Sequence, residues 1–311
     1  MRTSIIGYPR VGSLRELKFA TEKYFRKEIS SDKLQNTAKE IRKANWLTLK
    51  ASGLDFIPSN DFSFYDNMLD SAVLFNIVPS RYSSLNLSPL DTYFAMARGY
   101  QGEKGDVKAL AMKKWFNTNY HYMVPEIDDH TEIRLAGTKP FDEFEEAKAL
   151  NIATRPVITG AFTLLKLLRY TGSKTAEEYA GDVITAYSEL LIKLNHIGAE
   201  WVQFDEPYLV YDLTESDIAL FEKLYSGILS TKNKVKVLLQ TYFDGIGLDF
   251  VEGKKTFELI SENGFADGKI LFAGAVNGKN IWKNNYERTL DLTARLKAKG
   301  IETVLSTSCS L

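Results

Sequence analysis

The sequence predicts a (β/α)8 barrel of the TIM type, an α/β fold, on the basis of three observations. Short apolar or β-branched runs alternate with helical patterns of about 15 residues, which is typical of parallel strands joined by crossover helices. Eight such runs can be identified, and eight crossover units close naturally into a barrel with the helices outside. No glycine-rich phosphate loop follows an early strand, which counts mildly against the alternative, a doubly wound open sheet.

The predicted strands are short and rich in apolar or β-branched residues. In chain order they cover residues 3–6, 54–58, 133–136, 156–160, 200–204, 235–239, 270–275 and 302–305. The run at 133–136 has the weakest strand pattern of the eight.

Helix signals lie between the later strands. Thr175 and Glu178 form a capping box, and Gly198 stands where that helix should stop. Thr214 with Asp217 begins the next helix. Two more helices are expected at about 257–264 and 286–299.

Two departures from an ideal barrel are expected. About 70 residues separate the second and third predicted strands, and their aromatic content indicates an ordered insertion over the catalytic face. The eighth strand runs into residues 306–311 with no eighth helix, which predicts a single barrel domain, 1–311, cut from a longer protein.

Composition indicates a core-forming soluble protein. Of its 311 residues, 44% are apolar and 25% charged, and the net charge of −1 disfavours a nucleic-acid partner. No run approaches the roughly 18 apolar residues of a membrane span. One cysteine and three histidines exclude an internal disulfide and match no zinc spacing, so we expect no metal site here and a cytoplasmic location.

Charge is concentrated near the start of the chain. Residues 1–50 carry 12 Lys or Arg and 5 Asp or Glu, a local charge of +7. This excess indicates either a solvated helix surface or a site for an anionic ligand.

Polar residues follow several predicted strands, where TIM barrels place their chemistry. They are Asn60, Asp61, Asp205, Glu206, Gln240, Thr241, Asn277 and Ser306. Glu206 could be the general acid or base of a glycosidase, but a helix cap or a polar lining of the barrel mouth explains it as well.

Several motifs together resemble the N-terminal half of cobalamin-independent methionine synthase. They include GYPRVG at 7–12, RELK at 15–18, the thirteen-residue run KWFNTNYHYMVPE at 114–126, WVQFDEP at 201–207 and SCSL at 308–311. The matches keep their order along nearly the whole chain. The run that begins at Lys114 is highly specific.

The resemblance implies a methyltransferase that moves a methyl group from 5-methyltetrahydrofolate polyglutamate to homocysteine and forms methionine. It implies two barrels, with zinc, the homocysteine site and catalysis in the second, absent one, and no cobalamin. In this barrel it implies no catalytic residue and a contact to the polyglutamate tail from Arg15, Glu16, Leu17, Lys18 and Lys114. Arg15, Lys18 and Lys114 would supply the cations, Glu16 would orient a neighbour or face solvent, and Leu17 would act through its backbone or packing. A non-catalytic scaffold is the remaining alternative.

Overall fold

The computed structural model describes residues 1–231, 234–239, 244–280 and 282–310. The strands in these ranges are β1 (Arg2–Thr3), β2 (Ile57–Ser59), β3 (Tyr100–Gly102), β4 (Gly105–Val107), β5 (Met112–Lys114), β6 (His121–Met123), β7 (Glu126–Ile127), β8 (Thr154–Thr159), β9 (Arg169–Tyr170), β10 (Trp201–Asp205), β11 (Lys236–Leu238), β12 (Gly245–Asp249), β13 (Ile270–Val276) and β14 (Thr303–Thr307). The helices are α1 (Glu16–Phe25), α2 (Ser31–Ala51), α3 (Asn67–Leu74), α4 (Ser80–Ser83), α5 (Pro89–Arg98), α6 (Lys139–Ala149), α7 (Ala161–Leu167), α8 (Ala176–His196), α9 (Glu215–Ser230), α10 (Thr256–Asn263) and α11 (Tyr286–Ala298).

Eight parallel strands form the central sheet, in the order β1-β14-β13-β12-β11-β10-β8-β2. Its two ends meet, because a parallel bridge joins Ser4 to Phe56 and the Phe56 N–H donates to the Thr3 carbonyl at 3.0 Å. The sheet is therefore a closed barrel. The (β/α)8 prediction is confirmed and the open sheet is excluded.

The predicted strand at 133–136 is wrong. Ile133 and Leu135 are buried as the pattern requires, but this segment is irregular and pairs with the end of a helix. The Ala136 N–H donates to the Leu74 carbonyl at 2.9 Å. Alternating burial therefore arises here without a strand partner. Because this segment is not a barrel strand, the insertion between β2 and β8 extends over residues 60–153.

The strand that completes the barrel is β12, a segment in which the sequence analysis predicts no strand. Gly245 and Gly247 pair in register with β13. A Cβ atom on Gly245 would lie 2.9 Å from the Phe272 ring and 3.2 Å from Trp201. The glycine therefore makes room for interior aromatic rings.

The predicted helices agree well with the structure. The capping box at Thr175 begins α8, and the Thr214 hydroxyl accepts the Asp217 N–H at 3.2 Å at the start of α9. The helices expected at 257–264 and 286–299 are α10 and α11. Residues 308–310, the last described after β14, are not helical.

The barrel interior is layered. Phe56, Trp201 and Phe272 contact one another at ring-centroid distances of 5.1 to 5.9 Å and form an aromatic layer. Gln203 and Arg155, both buried, lie among the polar residues that line the space above it. Val202 and Phe204 of β10 instead join the core beneath the helices, as strand alternation requires.

The insertion carries α3 to α5 and two small antiparallel hairpins, β3–β4 and β5–β6. The Ser71 hydroxyl of α3 donates to the Thr159 hydroxyl at the end of β8, at 2.9 Å. The Phe116 ring stacks on Tyr211, which follows β10, with centroids 5.4 Å apart. The insertion therefore packs over the carboxyl ends of the barrel strands, as expected. Among the helices described, none is long and apolar enough to cross a membrane.

Candidate functional site

The first helix presents two cations on an anchored turn. Arg15 precedes α1 with φ of 63° and is exposed, as is Lys18 one turn later. Leu17 between them is buried against Ala38 and Ile41. The turn is therefore fixed by packing while both cationic side chains face solvent.

Glu16 holds the loop before this helix. Its carboxylate accepts the Leu14 N–H at 2.9 Å and a hydroxyl hydrogen bond from Ser13 at 3.4 Å. Hydrogen bonds from the backbone N–H groups of Glu16 and Leu14 lower the pKa of this carboxyl. The Leu17 N–H donates to the Val11 carbonyl. Together with the two hydrogen bonds to the Glu16 carboxylate, this means that the amides of Leu14, Glu16 and Leu17 all have acceptors within the protein. An anion that binds at this turn would therefore be held mainly by the side chains of Arg15 and Lys18.

Lys114 ends β5, on the hairpin that the insertion places over the barrel. It is exposed and lies opposite His121 in the register. The next residue, Trp115, packs edge-on against Tyr122 at a centroid distance of 5.5 Å. The backbone that carries Lys114 is therefore supported by an aromatic cluster.

Asp66 connects the β5–β6 hairpin to α3. Its carboxylate accepts the Met123 N–H of β6 at 2.9 Å and the Leu69 N–H of α3 at 2.8 Å. Burial raises the pKa of Asp66 to about 6. The neighbouring Tyr65 carbonyl accepts a hydrogen bond from the Arg10 guanidinium, so the segment before α1 and the hairpin meet at residues 65–66.

The structure places the predicted tail-binding residues on different elements, at the start of α1 and at the end of β5. In the described ranges, no hydrogen bond or ion pair links Lys114 to Arg15, Glu16, Leu17 or Lys18. The single ion pair of Lys18 is with Glu22, at 3.9 Å. The cations are therefore carried by two supports, the start of α1 and the β5–β6 hairpin.

Glu206 is a buried helix cap, as the second interpretation of this residue predicted. One carboxylate oxygen accepts the Phe162 N–H at 2.8 Å, and the other accepts the Thr163 N–H at 2.6 Å at the start of α7. The Tyr225 hydroxyl also donates to this carboxylate. Burial raises the pKa of Glu206 to about 7, against these hydrogen bonds. With both oxygens engaged and the side chain 2% exposed, Glu206 has no access to a sugar.

Most other polar residues at the strand ends have structural partners. Asn60 accepts from Lys139 at 2.7 Å through its side-chain oxygen, and Asp61 accepts the Tyr8 N–H at 2.8 Å. Asn277 accepts the Lys279 N–H at 2.8 Å. Ser306 is buried at the barrel mouth, and Gln240 and Thr241 lie outside the described residues.

Arg155, Gln203 and Asp205 form a polar cluster inside the barrel of which the sequence indicated only Asp205. The Gln203 amide donates to Asp205 at 2.5 Å, and Arg155 donates to the Ser4 hydroxyl and the Ile5 carbonyl at 3.1 and 3.0 Å. Burial lowers the pKa of Arg155 to about 10 and raises that of Asp205 to about 6. The alternation of side chains along a strand is a signal for this cluster. Because Val202 and Phe204 face outward, Gln203 and Asp205 face the barrel interior.

Comparison with known proteins identifies the family. The family model described as the N-terminal domain of cobalamin-independent synthase matches residues 2–300. The chain belongs to this family.

Relatives of this synthase family match the whole chain. The proteins named 5-methyltetrahydropteroyltriglutamate–homocysteine methyltransferase from Campylobacter jejuni subsp. doylei and Streptococcus gordonii are 52% and 53% identical to it over 326 residues. Each alignment covers 100% of this chain and 43% of the relative. The chain therefore spans less than half the length of these relatives.

Solved structures of cobalamin-independent synthases share the fold. A putative vitamin-B12 independent methionine synthase from Listeria monocytogenes superposes with a TM-score of 0.68 at 14% identity, over 99% of this chain and 91% of that one. A B12-independent methionine synthase from Shewanella sp. W3-18-1, in complex with selenomethionine, gives a TM-score of 0.63 at 15% identity. The superposition covers 90% of this chain and 83% of that one. At these identities the likeness supports the barrel alone.

The residues of this synthase domain do not fit a zinc site. Across the described ranges, no three His, Cys, Asp or Glu side chains cluster so as to hold a metal ion. His121 lies in the β5–β6 hairpin, His196 ends α8 and Cys309 follows β14. The name of the matched family denotes independence from cobalamin.

Proposed function

We propose that this chain is the N-terminal domain of a methyltransferase that moves a methyl group from 5-methyltetrahydrofolate polyglutamate to homocysteine, forming methionine. The observation that carries the proposal is the 52–53% identity, over the whole chain, to relatives named for this reaction. Their remaining length would supply a second barrel that packs with this one. That barrel would hold the zinc ion, the homocysteine and the reacting methyl group.

In this proposal the domain contacts the glutamate tail of the folate. The tail is a flexible polyanion, and Arg15, Lys18 and Lys114 offer cationic donors on backbone that is held in place. Two features support this role. Among the described residues the one ion pair of Lys18 is long, 3.9 Å to Glu22, and Leu17 anchors the turn in the core. Glu16 would act indirectly by fixing the loop before α1.

Placement of the cations on two supports, the start of α1 and the β5–β6 hairpin, suits a tail of several residues. Each glutamate adds another carboxylate along an extended chain, so a ligand with three can reach contacts that a monoglutamate cannot. We therefore expect the domain to discriminate tail length more than pterin identity.

The decisive experiment compares mono- and triglutamate substrates on the full-length enzyme and its Lys114→Ala variant. We expect about a 5- to 30-fold rise in the apparent constant for the triglutamate, and almost none for the monoglutamate. The effect should shrink as salt screens the charges. Lys113→Ala is the matched control, because Lys113 is also exposed on β5 but its side chain leaves the opposite face of the strand. Equal losses for both substrates would favour a scaffold role for Lys114.

Catalysis is expected to require the second barrel. Residues 1–311 alone should form no methionine even with zinc supplied, because the described residues offer no site to hold the metal and activate the homocysteine thiol. Methionine formation above background by this fragment would contradict the proposal. The glycosidase alternative predicts cleavage of an aryl glycoside that Glu206→Gln abolishes, and the buried cap at Glu206 argues against it. The cytoplasmic location stays a prediction.

A further inference from the structure

Two buried polar atoms inside the barrel have no hydrogen-bond partner among the described residues. They are Arg155 Nε and Gln203 Oε1, on side chains that are 2% and 4% exposed. Buried polar groups in native proteins nearly always have partners. An unpaired donor and an unpaired acceptor in one barrel therefore point to a further group beside them.

Both side chains line the same cavity. It has a volume of about 50 Å³, lies between the aromatic layer and the carboxyl ends of the strands, and opens toward solvent. A single water needs roughly 10 to 15 Å³ by the same measure, so the space holds several waters or about five non-hydrogen atoms. Leu239 and Leu248 contribute apolar wall.

The cavity contains opposite charges that do not touch each other. Arg155 and Asp205 both line it, yet no ion pair within 4 Å joins them in the described structure. The guanidinium Nη atoms are occupied by Ser4 and Ile5, which leaves Nε for a ligand. Asp249 adds a second carboxylate to the wall.

A ligand that satisfies this arrangement must accept a hydrogen bond from a cation and donate to an amide oxygen and a carboxylate. A simple anion would leave Gln203 Oε1 unpaired, and a simple amine would leave Arg155 Nε unpaired. The ammonium and carboxylate of an amino acid, with the carbon between them, meet both requirements within five non-hydrogen atoms, so a side chain must lie at the opening. It also balances one cation and two carboxylates better than an anion does.

We propose that the interior of this barrel binds the α-amino and α-carboxylate groups of a free amino acid with a small neutral side chain. The ligand carboxylate accepts from Arg155 Nε, and its ammonium donates to Gln203 Oε1 and Asp205. The side chain points to the opening beside Leu239 and Leu248. The site is separate from the proposed tail contact, because the residues of a glutamate tail are amide-linked and carry no ammonium group.

Calorimetry on the full-length protein tests the site with three probes: L-alanine, N-acetyl-L-alanine and propylamine. We expect L-alanine to bind with a dissociation constant on the order of 1 mM, and the other two at least about 10-fold more weakly, since each lacks one charge. Arg155→Lys keeps the charge but loses Nε, and should weaken L-alanine binding about 10-fold or more. Ser188→Ala is the control, because the Ser188 hydroxyl is also buried and unpaired but lies on α8, away from the cavity.

Thermal melts establish that each variant is folded, and Gln203→Met replaces Arg155→Lys if that variant is not. Crystals grown with L-alanine should show it between Arg155 Nε and Gln203 Oε1. Water alone at that position would overturn the proposal. Binding that is unaffected by both variants would also overturn it, since the amino acid would then occupy another site.

Discussion

Replacing Glu206 with Gln should remove a pH-dependent loss of stability. Burial raises the pKa of this carboxyl in the folded protein to about 7, from its usual value of 4.5. A raised pKa means that the folded state binds the proton more tightly than the unfolded state. The protonated form therefore contributes stability below pH 4.5, and that contribution is lost as the pH rises through 7. A tenfold change in acidity corresponds to about 1.4 kcal/mol, so the whole loss is about 3 kcal/mol.

Urea unfolding of wild type and Glu206→Gln between pH 4 and 8 measures this effect directly. The neutral amide has no such titration, so the difference in unfolding free energy, wild type minus variant, should fall by about 3 kcal/mol across the range. Asp66 and Asp205, whose pKa values are also raised, titrate in both proteins and cancel in the difference. Glu200→Gln, at a side chain that is 74% exposed, should show no such trend. Parallel curves for wild type and Glu206→Gln would refute the reasoning.

Three further substitutions test the supports of the site. Leu17→Ala should lower the unfolding free energy by about 2 to 4 kcal/mol in urea, whereas Leu14→Ala, at a side chain that is 77% exposed, should change it by less than about 0.5 kcal/mol. Gly160→Ala would place a Cβ 2.1 Å from the carboxyl carbon of the helix cap and should lower the melting temperature clearly. Gly181→Ala in α8 meets nothing within 4 Å and should not lower it. Asp66→Asn replaces an acceptor oxygen by a donor, so amide exchange in the β5–β6 hairpin should quicken, and unchanged exchange would show that the hairpin is held otherwise.

The barrel could be predicted from sequence because its crossover units repeat a local pattern. The capping boxes before α8 and α9 depend on residues three positions apart, so they are visible without tertiary information. The strand prediction at 133–136 is wrong because the burial pattern there depends on tertiary contacts. The burial of this segment comes from contact with the end of α3, and its alternating pattern is the same as that of a strand.

The residues of the candidate site also differ in whether local sequence or tertiary folding determines their position. Arg15 and Lys18 lie at the start of one helix, three residues apart, so their common support is a local property. The position of Lys114 depends on how a long insertion folds back, which no spacing encodes. Arg155 and Gln203 are not predicted as site residues, because they lie within strands and not after them. Polar residues at inward-facing positions of a strand are nevertheless visible in the sequence.

Closure of the barrel at β1 has a consequence for the order in which the protein is made. Arg2 pairs with Val304, and Thr3 with Leu305, so β1 lacks one neighbour until about 300 further residues have left the ribosome. At about 5 to 20 residues per second, that delay is about 15 to 60 s. During this time β1 has its contacts to residues 53–56 but lacks those to β14, and the barrel stays open between β1 and the growing end. Synthesis therefore passes through a stage in which every strand but the last is complete and the interior polar cluster is still open to water.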